Sequence, residues 1–172
     1  MRRILWWIFP LVVLGALISS CKDKEEEDSV PSQVARIRQN KEASESFMKD
    51  KRSQEDVMED PSGLLYSVVS KGKGEKPGLK DTVNITYTGK TYNDSVYVSK
   101  TESIALVDLS EGLQIGLRHM TEGSNYMLYI PYYLMYGSVS SQFSYGGRTV
   151  TVLSYSAVVY DMTLNEIIKV EE

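Results

Sequence analysis

The chain has one cysteine, Cys21, and one histidine, His119, in 172 residues. A lone thiol cannot close an internal disulfide, so any fold is held by packing and hydrogen bonds. The same scarcity excludes Cys-His nucleophilic catalysis and metal cages built from several His or Cys ligands. His119 itself lies between Arg118 and Met120 and reads as an exposed helix residue rather than a catalytic base. A phosphate-cradling loop is also missing: Gly72-Lys73-Gly74 is a pair of glycines in a polar turn, without the rest of a nucleotide motif. Nor is there a basic excess. Lys and Arg total 19 against 23 Asp and Glu, and a net charge of -4 provides no stripe for nucleic-acid phosphates. No cofactor and no nucleic-acid partner are expected. What the chain does have is tyrosine, 12 residues of it against three phenylalanines.

The only long apolar run is at the N-terminus. Arg2-Arg3, the run Ile4 to Ile18 and Ser19-Ser20-Cys21 follow the order of a signal peptide. The run is about fifteen residues, short of the roughly 20 that a membrane-crossing helix needs, so removal is expected rather than a permanent span. Ile18-Ser19-Ser20-Cys21 resembles the bacterial lipobox, which implies cleavage before Cys21 and lipidation of its thiol. Residues 1–20 are then a signal peptide, and the remainder is a lipoprotein on a cell-envelope membrane. The outer membrane is the expected site, facing the periplasm or the surface. Residues 21–60 read as a charged tether opening with Lys22-Asp23-Lys24-Glu25-Glu26-Glu27-Asp28, too poor in large apolar groups to offset the cost of ordering. That acidic run also resembles the surface-export signal of some Gram-negative lipoproteins. Val34, Ile37, Phe47 and Met48 mark one thin stripe if the tether is helical, which leaves a monomer with a solvated spacer or a tether-mediated dimer.

From Pro61 the composition shifts to β-branched and aromatic residues alternating with polar ones, and a folded domain is expected over 61–167, followed by a polar tail at 168–172. Leu64 to Val69 reads as a strand. Val83, Ile85 and Tyr87 alternate with Asn84, Thr86 and Thr88, which predicts one packed and one wet face. A further strand is expected from Ser95 to Ser99, with Tyr97 facing opposite to Val96 and Val98. Asp108 stands three residues before Glu111 as a capping residue, and Leu113, Leu117 and Met120 follow at helical spacing, with Gly123 as the stop. Tyr126 to Ile130 returns as a strand. Tyr145-Gly146-Gly147-Arg148 fits a tight turn between two short arms, and Ala157 to Ile167 forms the last strand. The pattern is α+β, mostly antiparallel with one short helix.

One reaction class requires none of the missing groups. Rotation about an X-Pro amide breaks no covalent bond, and its barrier of roughly 18–20 kcal/mol arises from amide resonance. Ser62 to Tyr66, Gly72 to Pro77, Val83 to Lys90, Gly116 to Gly123, Leu128 to Pro131, Leu134 to Gly137 and Ala157 to Leu164 resemble, in order and in register, the signatures of FKBP-type peptidyl-prolyl isomerases. The resemblance spans about 61–167. It implies a curved antiparallel sheet wrapped around a short helix and a pocket walled by Tyr87, Tyr97, Tyr136 and Tyr160, with Tyr97 where the family usually has phenylalanine. It also implies substrate contacts from Leu109, Ser110, Leu113, Val98 and Val152. Among these the Ser110 backbone N–H would donate to a substrate carbonyl, and the Tyr136 hydroxyl would donate as well.

Three departures go with the resemblance. Val98 stands where the family has an aspartate, so an acceptor and a negative charge are missing there. Leu113 replaces an aromatic floor, and Val152-Leu153-Ser154 replaces an Ile-Pro-Pro segment beside a Ser- and Tyr-rich flap at 138–151. The implied partners are proline-containing polypeptides and, through Cys21, a membrane. Three functions remain open: an envelope isomerase, a non-catalytic peptide-binding or assembly lipoprotein, or a structural lipoprotein whose pocket is closed by Phe143 or Tyr145 of its own flap.

Overall fold

The computed structural model describes residues 30–170. The signal-like segment, Cys21 and the acidic run lie outside them. Among the described residues no helix is long and apolar enough to cross a membrane. Two helices, α1 (Val30–Arg52) and α2 (Glu111–His119), accompany eight strands: β1 (Met58–Glu59), β2 (Leu65–Ser70), β3 (Thr82–Thr91), β4 (Val96–Ala105), β5 (Asn125–Ile130), β6 (Ser141–Tyr145), β7 (Arg148–Val152) and β8 (Val158–Ile168). Six strands form one antiparallel sheet in the order β1-β2-β5-β8-β3-β4, while β6 and β7 make a separate hairpin.

The alternation in β3 sets the two faces. Val83, Ile85, Tyr87 and Gly89 are buried, and Asn84, Thr86 and Thr88 form a hydrogen-bonded ladder to Ser103, Thr101 and Ser99 of β4 at 2.8, 2.8 and 2.9 Å. β4 runs well past the expected Ser99, because this polar ladder continues its pairing to Thr82 and Ala105. Its register slips where Gly89 pairs with Val98 and Lys90 with Val96, so Tyr97 is an extra, bulged residue. The expected opposition of Tyr97 and Val98 is therefore lost: Tyr97 is buried, and Val98 packs on the same core.

Helix α2 lies against the buried face with Leu113, Leu117 and the C-capping Met120 directed into the core. It comes close because Gly112 and Gly116 have no side chains; a Cβ on Gly116 would meet Leu128 Cδ1 at 2.5 Å, and one on Gly112 would collide with Ile130 Cγ2. The N-cap is Ser110, not Asp108, which ends a 3-10 turn over Leu106–Asp108. The helix also stops before Gly123, which occupies a following turn at φ +80°. His119 is less exposed than its neighbours suggested: its Nε2 lies 2.8 Å from Asp60 Oδ2, and its ring stacks on Tyr66 at 4.6 Å.

The stretch read as a solvated spacer contains the 23-residue helix α1, which is docked on the domain. Its contact face is Asn40, Ser44 and Met48, one residue per turn. Asn40 Nδ2 donates to Ser154 O at 2.8 Å and Ser156 Oγ at 3.0 Å, and its Oδ1 accepts from the Tyr92 hydroxyl at 2.9 Å. Ser44 Oγ accepts from Ala157 N at 2.6 Å. Met48 then joins Leu65, Tyr129 and Ala157 in a second small core, with Phe47 at its margin. Val34, 60% exposed, and Ile37 are not part of that face. At the other end, Ile168 closes β8 and Lys169 Nζ pairs with Asp81 Oδ2 at 3.1 Å, so the expected polar tail begins inside the sheet.

Asn40→Ala leaves two buried groups, Ser154 O and Ser156 Oγ, and the half-buried Tyr92 hydroxyl short of a partner, and should lower unfolding stability by about 1–3 kcal/mol. Val34→Ala should change it by less than about 0.5 kcal/mol. Urea unfolding followed by circular dichroism separates the two, and equal midpoints would show that α1 does not stabilise the domain.

Candidate active site

The four tyrosines singled out in the sequence come from β3, β4, the segment after β5, and β8, and they meet. Tyr97 is the hub. Its ring centroid lies 6.0 Å from Tyr136 and 6.2 Å from Tyr160, both edge-on, and Tyr160 lies 5.6 Å from Tyr87. The Tyr97 hydroxyl donates to that of Tyr160 at 3.0 Å. Leu113 and Val152 are buried in the same cluster, and Val98 and Leu109 are partly buried against it. Ser110 reaches it through its hydroxyl, 2.8 Å from Met135 Sδ. Its backbone N–H precedes the first turn of α2, where helix donors have no intrahelical partner.

Gly89 makes this convergence possible. A Cβ there would stand 2.7 Å from Val98 Cγ1 and 3.0 Å from Tyr160 Cζ, so a side chain would displace the ring. The socket between the tyrosines is filled. Phe143, from β6 of the hairpin, sits 4.8 Å from Tyr97 and 5.6 Å from Tyr136, and Tyr97, Tyr160 and Leu113 are only 2%, 2% and 4% exposed. Tyr145 takes no part in this closure. It instead lines a polar cleft of about 570 Å³ with Asp94, Arg148 and Thr149, and none of the four clustered tyrosines borders that cleft.

Burial governs the electrostatics. It pushes the Tyr87 phenol up to about 12; the hydrogen bond to Glu102, 2.6 Å away, adds to the rise, and Lys100 opposes it. Burial raises Tyr97 and Tyr160 as well; the neighbouring phenols add to the rise at Tyr97, whereas at Tyr160 Tyr136 and Tyr87 add to it and the hydrogen bond from Tyr97 opposes it. The centre of the cluster is shielded from solvent and carries no ionised group. Such an arrangement can grip an apolar ring and offer hydroxyl and backbone donors at its edge. Among the described residues no group of His, Cys, Asp and Glu could hold a metal ion.

A sequence model of the FKBP-type peptidyl-prolyl cis-trans isomerases matches residues 73–165, just over half of the chain. The chain belongs to that family. A second model, the domain amino-terminal to FKBP-type isomerases, matches residues 15–68 and so takes in α1. The macrophage infectivity potentiator of Trypanosoma cruzi is 29% identical over 161 residues, which cover 88% of this chain and 79% of that protein. The FKBP-type peptidyl-prolyl cis-trans isomerase FkpA of Escherichia coli is 33% identical over 124 residues, covering 69% of this chain and 43% of the relative. Outer membrane protein MIP of Legionella longbeachae is 31% identical over 104 residues, 58% of this chain and 45% of that protein. The chain thus spans less than half the length of the last two. The crystal structure of Escherichia coli FkpA superposes with a TM-score of 0.68 at 24% identity, covering 80% of this chain and 65% of that one, which shows a shared fold. The expected FKBP-like architecture, a curved antiparallel sheet around a short helix, is the one observed.

The sequence pointed to each tyrosine. It also named Phe143, beside Tyr145, as a residue able to close their pocket, and of that pair it is Phe143 that packs against Tyr97 and Tyr136. It gave less sign of Met135 beside Ser110 or of Glu102 as the partner of Tyr87.

A phenol in the unfolded chain ionises near pH 10, whereas Tyr87, Tyr97 and Tyr160 are raised above that in the fold and stay protonated to higher pH. The unfolded state therefore loses protons first, and stability is full below about pH 10 and falls as pH rises through the folded values, by about 1.4 kcal/mol per pH unit for each phenol. Urea midpoints taken from about pH 9 to 12 should show this decline, and Tyr97→Phe should make it shallower. A flat profile would mean that the phenols ionise in place.

Proposed function

We propose that this domain catalyses cis-trans isomerisation of X-Pro bonds in cell-envelope polypeptides, with the prolyl ring held among Tyr87, Tyr97, Tyr136 and Tyr160. The observation that carries the proposal is the convergence of these four rings, far apart in the chain, into one continuous contact network. The family membership and the Escherichia coli relative named as an isomerase support the same reading.

The chemistry follows from what the site contains and what it excludes. The planar amide is stabilised by charge separation that water solvates, and a dry aromatic surface withdraws that solvation. A twisted amide has less resonance and is favoured there by comparison. The Ser110 N–H and the Tyr136 hydroxyl are the donors for the carbonyls flanking the rotating bond. About 4–6 kcal/mol of such differential binding would give on the order of 10³–10⁴ in rate. Leu113 offers an aliphatic floor with less contact area than an aromatic ring. No proton or covalent bond changes place. Phe143 has to leave the socket before a prolyl ring can enter, and its hairpin is a separate two-stranded sheet outside the main one.

The envelope setting rests on the lipobox-like Ile18 to Cys21 and on the Legionella relative, named an outer membrane protein. Lipidation at Cys21 would leave the domain at the end of a charged segment, as a monomer or as a dimer joined through it.

Phe143 in the socket, together with Val98, favours a second reading in which the cleft binds peptide weakly and does not turn over. A protease-coupled assay on the full chain in mild detergent distinguishes them. Tyr136→Phe should lower kcat/KM about tenfold, equivalent to one hydrogen bond of about 1.4 kcal/mol in the transition state. Phe143→Ala should increase affinity for a proline-containing peptide. Peptide binding at an uncatalysed rate would select the second reading, and binding seen only in Phe143→Ala would select a socket closed by its own flap.

A further inference from the structure

Strand β4 turns Val98, Lys100 and Glu102 towards the same face as their β3 partners Gly89, Tyr87 and Ile85. The family resemblance leads one to expect a carboxylate at 98, where this chain has valine. Val98 lies over Gly89, beside Tyr160, and offers no acceptor. Yet the Tyr87 hydroxyl is not without one. It donates to Glu102 Oε1 at 2.6 Å, while Lys100 Nζ donates to Glu102 Oε2 at 2.8 Å. The ammonium also sits 5.8 Å from the Tyr87 ring centroid.

Both carboxylate oxygens are thus engaged, one by the aromatic site and one by a cation that holds the side chain across the strand. Burial opposes ionisation of Glu102, but the hydrogen bonds from Lys100 and Tyr87 and the charge of Lys100 together outweigh it, and the carboxyl stays below its usual range. An ion pair confined to a strand surface would leave Tyr87 untouched. This one ends on a phenol whose ring is buried and packed against Tyr160.

We propose that Glu102 is a positioning residue of the site: it supplies, from four residues farther along β4, the acceptor and negative charge that Val98 does not. It fixes the Tyr87 ring against Tyr160 and engages the Tyr87 proton. The phenol oxygen then presents lone-pair density, not a donor, to a bound peptide. Lys100 holds the carboxylate in place and keeps it ionised. The inference rests on the isomerase reading for its kinetic consequence, although the geometry stands without it.

The test is a mutational cycle on the full chain in mild detergent, with kcat/KM and the dissociation constant for one Leu-Pro peptide as readouts. Glu102→Gln, nearly isosteric, should lower kcat/KM about tenfold, as expected for one lost charge-assisted hydrogen bond. Glu102→Ala should lower it at least as far. Val98→Asp should then restore activity in the Glu102→Ala background by a much larger factor than any gain in the native chain, because the two carboxylates serve one hydroxyl. Unchanged kinetics in Glu102→Gln, or an equal effect of Val98→Asp in both backgrounds, overturns the assignment. Should Glu102→Ala fail to fold, Glu102→Gln and Val98→Asp/Glu102→Gln complete the cycle. An inactive native chain would sink the isomerase reading alone. The same series is then decided by peptide affinity, where weakening by Glu102→Gln and recovery with Val98→Asp supports the assignment and a flat series overturns it.

Discussion

The position of β8 governs the rest of the structure. The last strand of the chain lies at the centre of the sheet, between β5 and β3, and it alone joins the half formed by β1, β2 and β5 to the half formed by β3 and β4. Its inward residues Tyr160, Met162 and Leu164 complete the core beneath α2. Without β8 the two halves would each expose an unpaired strand edge and an apolar face. The pairings that join β2, β5, β8 and β3 are all between strands that are not consecutive in the chain, which ties formation of the site to completion of the whole fold. Tyr160 makes the dependence concrete, since both Tyr87 and Tyr97 pack on it.

The aromatic socket is stabilised by the features that limit its use. Phenol rings bury large areas and prefer edge-on contacts, so a set of four with a phenylalanine among them is a stable core in its own right. Val98 and Leu113 extend that apolar character where the family resemblance leads one to expect a carboxylate and an aromatic floor. The outcome is a site whose empty state is occupied by its own Phe143, and in which charge is held at the rim, on Glu102 and Lys100.

Much of this was legible in the chain, for physical reasons that also explain the remainder. The two-residue period of Val83, Ile85 and Tyr87 and the helical spacing of Leu113, Leu117 and Met120 directly reflect burial. The glycine pair at 146–147 marked the hairpin because both residues adopt positive φ. The docking of helix α1 escaped because two of the three residues on its contact face are Asn40 and Ser44, residue types that hydropathy assigns to water, whereas of the apolar stripe Val34 and Ile37 point outward and only Met48, with Phe47 at its margin, meets the domain. Hydrogen bonding selects that face together with Met48. The bulge at Tyr97 depends on how β4 registers against β3, and Glu102 in an isolated strand looks like a residue of the wet face. His119 was misjudged for a similar reason, since Asp60 is 59 residues away and invisible to local pattern.

The docked helix also bears on how the socket can open. Asn40 and Ser44 bind Ser154, Ser156 and Ala157, the segment between β7 and β8, and the Tyr92 hydroxyl beside the β3-β4 turn. Across the base of the hairpin, Ser154 N donates to Ser140 Oγ at 2.9 Å and Tyr155 N to Gly137 O at 2.9 Å. Both roots of the β6-β7 hairpin are thus joined to each other, and the second root is also held by α1. The remaining walls belong to the central sheet and to α2, whose glycines already lie against Leu128 and Ile130. Those walls have little room to retreat. On the proposed reading, access to the tyrosines depends on Phe143 and the hairpin arms between the fixed roots, and the contact that buries the rings is the same one that would have to break to admit a prolyl ligand.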